Sequence, residues 1–343
     1  MRAMVLTEFG GRFELQDLPV PEVAANEVRI KVAACGVGLT LKHIRQGESR
    51  WITVPRVMGH EVGGVVDEVG AEVASCAPGD RVAVYLYLTC GDCEFCVTGR
   101  ESLCVVRGGS VGTAINGGFA EYMTVPARNV IPIPDGVGFA EAGVAADAVS
   151  TPWHVATERA KIKPNDLVLV IGAAGGLGIH MVQVAKAFGA RVIGTDIADD
   201  RLAAAREYGA DDTINVSEVD PVEAVMHLTE NMGVDVVVDT IGSGTTMKVA
   251  IASLARAGTA VQLGHHTGDD SDVQFDIAQL RHGRTFTSVS YCTRQHVREA
   301  FELLRRGMVR AAVLQTYPLE QLNEALALVE ESALIGRTAV VLD

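Results

Sequence analysis

Residues 167–196 constrain this chain most. The apolar run Leu167–Ile171 leads directly into Gly172-Ala-Ala-Gly175-Gly176-Leu177-Gly178. A helical stretch follows to Phe188, then a second strand, Arg191–Thr195, with Asp196 at its end. Strand, tight turn, helix and strand in that order form a βαβ unit, whose strands lie parallel in one sheet. Asp200–Tyr208 reads as the next helix and Val234–Asp239 as a further strand. From about Asp166 onward the expected fold is therefore α/β, built of βαβ units on a doubly wound parallel sheet. Glycines at such a turn bring backbone amides at a helix N-terminus against a pyrophosphate. A carboxylate ending the second strand accepts a ribose 2′-hydroxyl and repels a 2′-phosphate. Gly172, Gly175, Gly176, Leu177, Gly178 and Asp196 are thus candidate contacts for NAD(H) rather than NADP(H). The plainer reading of Asp196 is a surface cap ahead of Asp199-Asp200-Arg201.

The preceding residues have a different texture. Short alternating or apolar runs such as Glu27–Ala33, Val62–Val69 and Arg81–Leu88 are broken by Gly and Pro, which predicts an irregular, mostly antiparallel β-rich fold. Pro126, Pro132 and Pro134 punctuate the change of texture, and Gln295–Arg306, Leu319–Glu331 and Thr338–Leu342 close the chain as two helices and a strand. At 343 residues the chain exceeds one ordinary core, so two domains are expected. The net charge of −14 argues against a nucleic acid or an acidic membrane as partner, and no apolar run is long enough to span a bilayer. Met1-Arg2-Ala3-Met4-Val5 leads straight into strand-like sequence, without the pattern of a signal peptide, so a cytoplasmic location is expected.

Four of the seven cysteines, Cys90, Cys93, Cys96 and Cys104, follow the pattern C-x2-C-x2-C-x7-C. Four thiolates at this spacing can close a tetrahedron around zinc, and a full thiolate shell leaves no position for substrate, so the role is structural. An iron–sulfur cluster is the competing reading, with no second cysteine cluster or following Pro to support it. Cys35, Cys76 and Cys292 read as small buried side chains.

Several blocks together resemble the zinc-type medium-chain alcohol dehydrogenases over essentially the whole chain. They are Gly59-His60-Glu61 with the glycines and valines up to Gly70, Gly79-Asp80-Arg81-Val82, the four-cysteine lobe, and Gly117-Gly118-Phe119-Ala120-Glu121-Tyr122. The resemblance implies a GroES-like β-rich catalytic domain (1–152 with 291–343) split around a Rossmann NAD-binding domain (153–290). It also implies Thr151, Arg201, Ile241 and Leu263 as further cofactor contacts and assembly as a homodimer or homotetramer. The association would run through the last Rossmann strand, around Thr285–Ser290.

In that family a catalytic zinc is held by a Cys, the His of the GHE block and a later Cys or Asp, while the Glu after the His can exchange onto the metal. His60, Asp147 and Glu61 fill three of these places by resemblance. Thr40 and His43 match the hydroxyl and imidazole that pass the alcohol proton to solvent. The first ligand position, however, is Gly38, and the carboxylate that orients the metal-bound His is replaced by Leu41. Three arrangements stay open: Cys35 recruited as thiolate, an oxygen-rich zinc site on His60, Asp147, Glu61 and water, or a metal-free His60–Asp147 pair.

The glycine loop differs from the usual G-x-G-G-x-G and resembles that of quinone oxidoreductases and enoyl-thioester reductases. The leading expectation is an NAD-dependent oxidoreductase interconverting a secondary or activated alcohol with its ketone or aldehyde. The alternative is NADH-dependent reduction of an α,β-unsaturated carbonyl, and a third is a non-catalytic protein on the same scaffold, against which Thr40, His43 and Asp196 speak. Leu39, Leu41, Trp51, Leu86, Trp153 and Tyr291 are candidates for an apolar pocket. His154, His265 and His266 carry no assigned role.

Overall fold

A computed structural model describes residues 1–49, 51–265, 270–274, 276–331 and 334–342. His266 lies outside the described residues. The chain forms two compact units, residues 1–150 with 292–307 and 311–343, and residues 151–291 with 308–310.

The first unit is β-rich. Its larger sheet runs in the order Val313–Pro318, Arg337–Val341, Glu27–Val37, Glu61–Val69, Arg81–Val84 and Val130–Pro132, with Tyr122–Pro126 also paired to Glu27–Val37. All pairs are antiparallel except Val313–Pro318 with Arg337–Val341. A small sheet of Phe13–Asp17, Arg2–Leu6 and Arg56–Val57 lies in the same unit. Met4, Ile30, Met58, Val62 and Phe119 share one buried core. Glu27–Val37 extends beyond the Ala33 expected from sequence, because its last residues pair with Arg337–Val341 in the register Val37 opposite Thr338. Arg81–Val84 is shorter than expected. After Val84 the chain leaves the sheet: Tyr85 N–H donates to the Asn129 carbonyl, and Leu86 and Leu88 bond to Val111, Gly109 and Gly108.

The helix Phe139–Val144 lies on the strand Glu61–Val69 at backbone distance. A Cβ at Gly63 would stand 2.2 Å from the Phe139 carbonyl oxygen, and one at Gly143 2.4 Å from that of Glu61. Glycine at both positions permits the approach. The helix then widens into a π turn, Ala145–Val149, which carries Asp147. Such turns admit one extra residue and recur at functional sites.

The second unit is a parallel six-stranded sheet in the order Asp212–Asn215, Arg191–Asp196, Leu167–Ile171, Val234–Asp239, Leu254–Gln262 and Thr285–Ser288. The strand order reverses between Leu167–Ile171 and Val234–Asp239. In open α/β sheets ligands bind at such a switch point, outside the carboxyl ends of the strands. The helix Gly178–Ala187 follows the glycine loop, with eight of its residues, Gly178 to Ala185, buried.

Candidate active site

The four lobe cysteines converge. The Sγ atoms of Cys90 and Cys96 are 3.8 Å apart, Cys93 and Cys96 3.5 Å, Cys93 and Cys104 3.9 Å, and Cys90 and Cys104 3.5 Å. A zinc–sulfur bond of about 2.3 Å gives a tetrahedron whose edges are about 3.8 Å, so these residues fit one zinc ion. A polynuclear iron–sulfur cluster needs its thiolates spread farther apart. Backbone amides support the arrangement: Cys93 N–H points to Cys90 Sγ and Cys90 N–H to Cys104 Sγ. None of the seven cysteines, all described, is in a disulfide; Cys35 and Cys292 are buried as expected, whereas Cys76 is half-exposed.

His60, Glu61 and Asp147 come together, with one ligand atom of each inside a 4.8 Å group. The π turn sets Asp147 Oδ2 3.5 Å from His60 Nε2. Gly59, at φ +96°, makes the left-handed turn that aims His60. Sequence reasoning missed a fourth member, Arg337, whose Nη2 is 3.0 Å from Glu61 Oε1 and 3.9 Å from Asp147 Oδ2. Both Arg337 and Glu61 are buried. Burial pushes the Glu61 carboxyl up to about 7, with Asp147 adding to the rise and Arg337 and His60 opposing it. Glu61 Oε2 is buried without a hydrogen-bond partner among the described residues and lies against Gly36.

The first ligand position offers no donor. A Cβ at Gly38 would stand 2.0 Å from Arg337 Nη1, so the guanidinium fills the space of a side chain there. Cys35 does not substitute. Its Sγ lies against Gly59 and Gly118 within the buried core, on the strand face opposite Gly36 and Gly38, and burial pushes its thiol well up. Leu41 also belongs to that core rather than to a pocket wall. A divalent ion among His60, Glu61 and Asp147 would have three protein donors and a guanidinium beside it.

Thr40 begins the short helix Thr40–Arg45 and is exposed. His43 is half-buried, its Nδ1 2.9 Å from Glu48 Oε2, a partner not foreseen from sequence. Of the pocket candidates in the first unit, Leu39 is exposed and Trp51 carries the Arg107 guanidinium over its ring. In the second unit Trp153 stacks on Phe188 at 5.1 Å, and Tyr291 is buried.

At the carboxyl ends of the parallel strands, Gly172 adopts φ +76° and a Cβ at Gly178 would meet the Gly172 carbonyl oxygen at 2.0 Å. The turn therefore needs glycine at both places and leaves the helix N-terminus open to an anion. His180 Nδ1 lies 2.7 Å from the Gly176 carbonyl oxygen. Asp196 is buried and ties the glycine loop to the start of the next helix. Its Oδ2 accepts from Ala174 N–H, and its Oδ1 from Ile197 N–H and from Arg201 Nε at 2.7 Å. Asp196 is thus more than a surface cap. Ile241 and Leu263 occupy loops at the same sheet end, both bonded through their N–H groups to Asp239. Thr151 is buried at the start of the second unit.

Residues 24–135 match the family model of the alcohol dehydrogenase GroES-like domain, and residues 176–306 that of the zinc-binding dehydrogenase. An NAD-dependent alcohol dehydrogenase of Sulfurisphaera tokodaii is 33% identical, over 99% of this chain and 100% of its own. An alcohol dehydrogenase of Geobacillus stearothermophilus is 34% identical, over 100% of this chain and 99% of its own. A crystal structure of an NAD-dependent alcohol dehydrogenase superposes with a TM-score of 0.93 at 32% identity, covering 100% of both chains. Sequence blocks, the cysteine lobe and the parallel sheet thus agree with these matches, and the chain belongs to the zinc-type medium-chain dehydrogenase/reductase family of alcohol dehydrogenases.

Proposed function

We propose that this enzyme interconverts a secondary or activated alcohol and its ketone or aldehyde by hydride transfer with NAD(H). The observation that carries the reading is the carboxylate of Asp196, held at the end of Arg191–Asp196 and bonded to the glycine loop at Ala174 N–H. The bound dinucleotide supplies the hydride acceptor or donor. The residues of the second unit fit it: the Gly172–Gly178 turn offers amides to the pyrophosphate, and Asp196 offers a carboxylate to the ribose, with Arg201 beside it. Thr151, Ile241 and Leu263 would hold the remainder of the cofactor.

In the first unit Thr40 accepts the alcohol proton through its hydroxyl and His43 passes it on, with Glu48 fixing the imidazole at Nδ1. His60 and Asp147, 3.5 Å apart, form an ion pair in the same unit. Cys90, Cys93, Cys96 and Cys104 would hold a structural zinc, which would keep the loop closed. Alcohol-dependent NADH formation at alkaline pH, with ketone- or aldehyde-dependent NADH consumption near neutrality, tests the proposal. NADH consumption with enones or enoyl thioesters, but none with simple ketones, would replace it with C=C reduction.

Two coarser attributes extend the reading. No helix among the described residues is long and apolar enough to cross a membrane, and the net charge of −14 disfavours nucleic acid and acidic membranes. The alcohol dehydrogenase relatives support a small-molecule substrate. Cysteines kept out of disulfides suit the cytoplasm. The edge strand Thr285–Ser288 would pair with a second subunit in a homodimer or homotetramer.

A further inference from the structure

We infer that Arg337 takes the place of both the missing ligand and the ion, so that the His60–Glu61–Asp147 centre operates as a metal-free charge cluster. Three observations lead there. First, Gly36 and Gly38 lie on one face at the end of Glu27–Val37, two residues apart, and the volume beside them is already filled. A Cβ at Gly36 would stand 2.1 Å from Glu61 Oε2, and one at Gly38 2.0 Å from Arg337 Nη1 and 3.3 Å from Glu61 Oε1. The two glycines therefore accommodate an ion pair rather than an empty cleft.

Second, the guanidinium is delivered by sheet register. Thr338 lies opposite Val37, which sets Arg337 across from position 38, where cross-strand side chains meet. Third, the guanidinium reaches both carboxylates that an ion would need, Glu61 at 3.0 Å and Asp147 at 3.9 Å. A guanidinium is always charged, so it offsets carboxylate charge here without any metal. A divalent ion added to the cluster would meet this fixed cation at close range. Arg337 is a positioning residue: it holds the carboxylates of Glu61 and Asp147.

The inference does not rest on which carbonyl compound the enzyme turns over, because it is read from metal content. The full-length protein is loaded with excess zinc, freed of loosely held ion and analysed for zinc per chain. The expected value is one for the wild type, bound by the cysteine lobe, and two for G38C/R337Q, which adds a thiol and removes the guanidinium. Two tightly held zincs in the wild type overturn the inference. So does a value of one in G38C/R337Q when its circular dichroism matches the wild type. Should that variant misfold, cobalt replacement in the wild type decides. The thiolate-to-cobalt charge-transfer band and the d–d bands are expected to saturate together at one equivalent. Further d–d absorption growing toward a second equivalent, with no added sulfur band, overturns the inference.

Discussion

In the proposed mechanism Thr40 and His43 carry the alcohol proton. Their removal should cost turnover and little else. Losing one acid–base contact typically lowers rate 10²–10⁴-fold, roughly 3–5 kcal/mol of barrier. Thr40→Val and His43→Ala are each expected to lower kcat/KM by about that factor while the Kd for NADH, read by fluorescence titration, stays within about twofold. Glu61 gives a second expectation at this scale. Its carboxyl is raised to about 7 in the folded protein, above the range it has in the unfolded chain. The folded state then binds the extra proton, so this group's contribution is fully present below the unfolded value and is lost as pH rises through about 7. Urea midpoints measured at pH 5 and pH 8 should therefore drop less in Glu61→Gln than in the wild type. A steeper drop in the variant would mean that Arg337 keeps Glu61 ionised throughout.

At the scale of elements, the four lobe cysteines fit one zinc ion, which would close the lobe as a unit. Cys96→Ser leaves three thiolates, and removal of a structural metal belongs among the largest single destabilisations. We expect a loss on the order of several kcal/mol in urea unfolding, with near-normal kcat per folded molecule. Full stability after complete zinc removal would show that the lobe folds without it. The glycine turn is the other such unit. Asp196→Ser removes the acceptor for Ala174 N–H and Arg201 as well as the proposed ribose contact. NADH binding should weaken roughly 10–100-fold, the cost of one or two hydrogen bonds to a charged group. NADPH binding should change less or improve, because Arg201 then faces a 2′-phosphate without a competing carboxylate. These elements were readable in the sequence because their chemistry is local: the cysteines share fifteen residues, and strand, turn, helix and acid follow one another. The His60 centre was only partly readable. Its glycine block identifies His60 and Glu61, but Arg337 arrives from the far end of the chain through the register of a sheet. The π turn that presents Asp147 leaves no mark in apolar periodicity, and nothing local to Arg81–Leu88 says that the strand ends at Val84. Gly36 and Gly38, two residues apart on one strand face, are the one local sign that something large lies across from them.

For the whole molecule, the question is what covers the end of the parallel sheet. Thr285–Ser288 pairs with Leu254–Gln262 on one side, and on its other side no strand follows it in the sheet order of the described residues. It alternates Thr, Phe, Thr and Ser, with Thr285 and Ser288 exposed and Phe286 half-buried. It lacks the lysines and prolines by which isolated edges avoid further pairing. An unprotected edge of this kind is stable when a second copy adds its own, and a two-fold interface supplies that second strand in register. The native mass at micromolar concentration should therefore be two or four times the 36.3 kDa chain. Thr285→Lys, at an exposed position, places a charge against its symmetry mate or close neighbour and should shift the protein toward the monomer in sedimentation. The lobe zinc should stay at one per chain in that variant, because the cysteines and the edge strand belong to different units. A wild type already monomeric at micromolar concentration would leave Thr285–Ser288 as a solvated edge and remove this interface from the proposal.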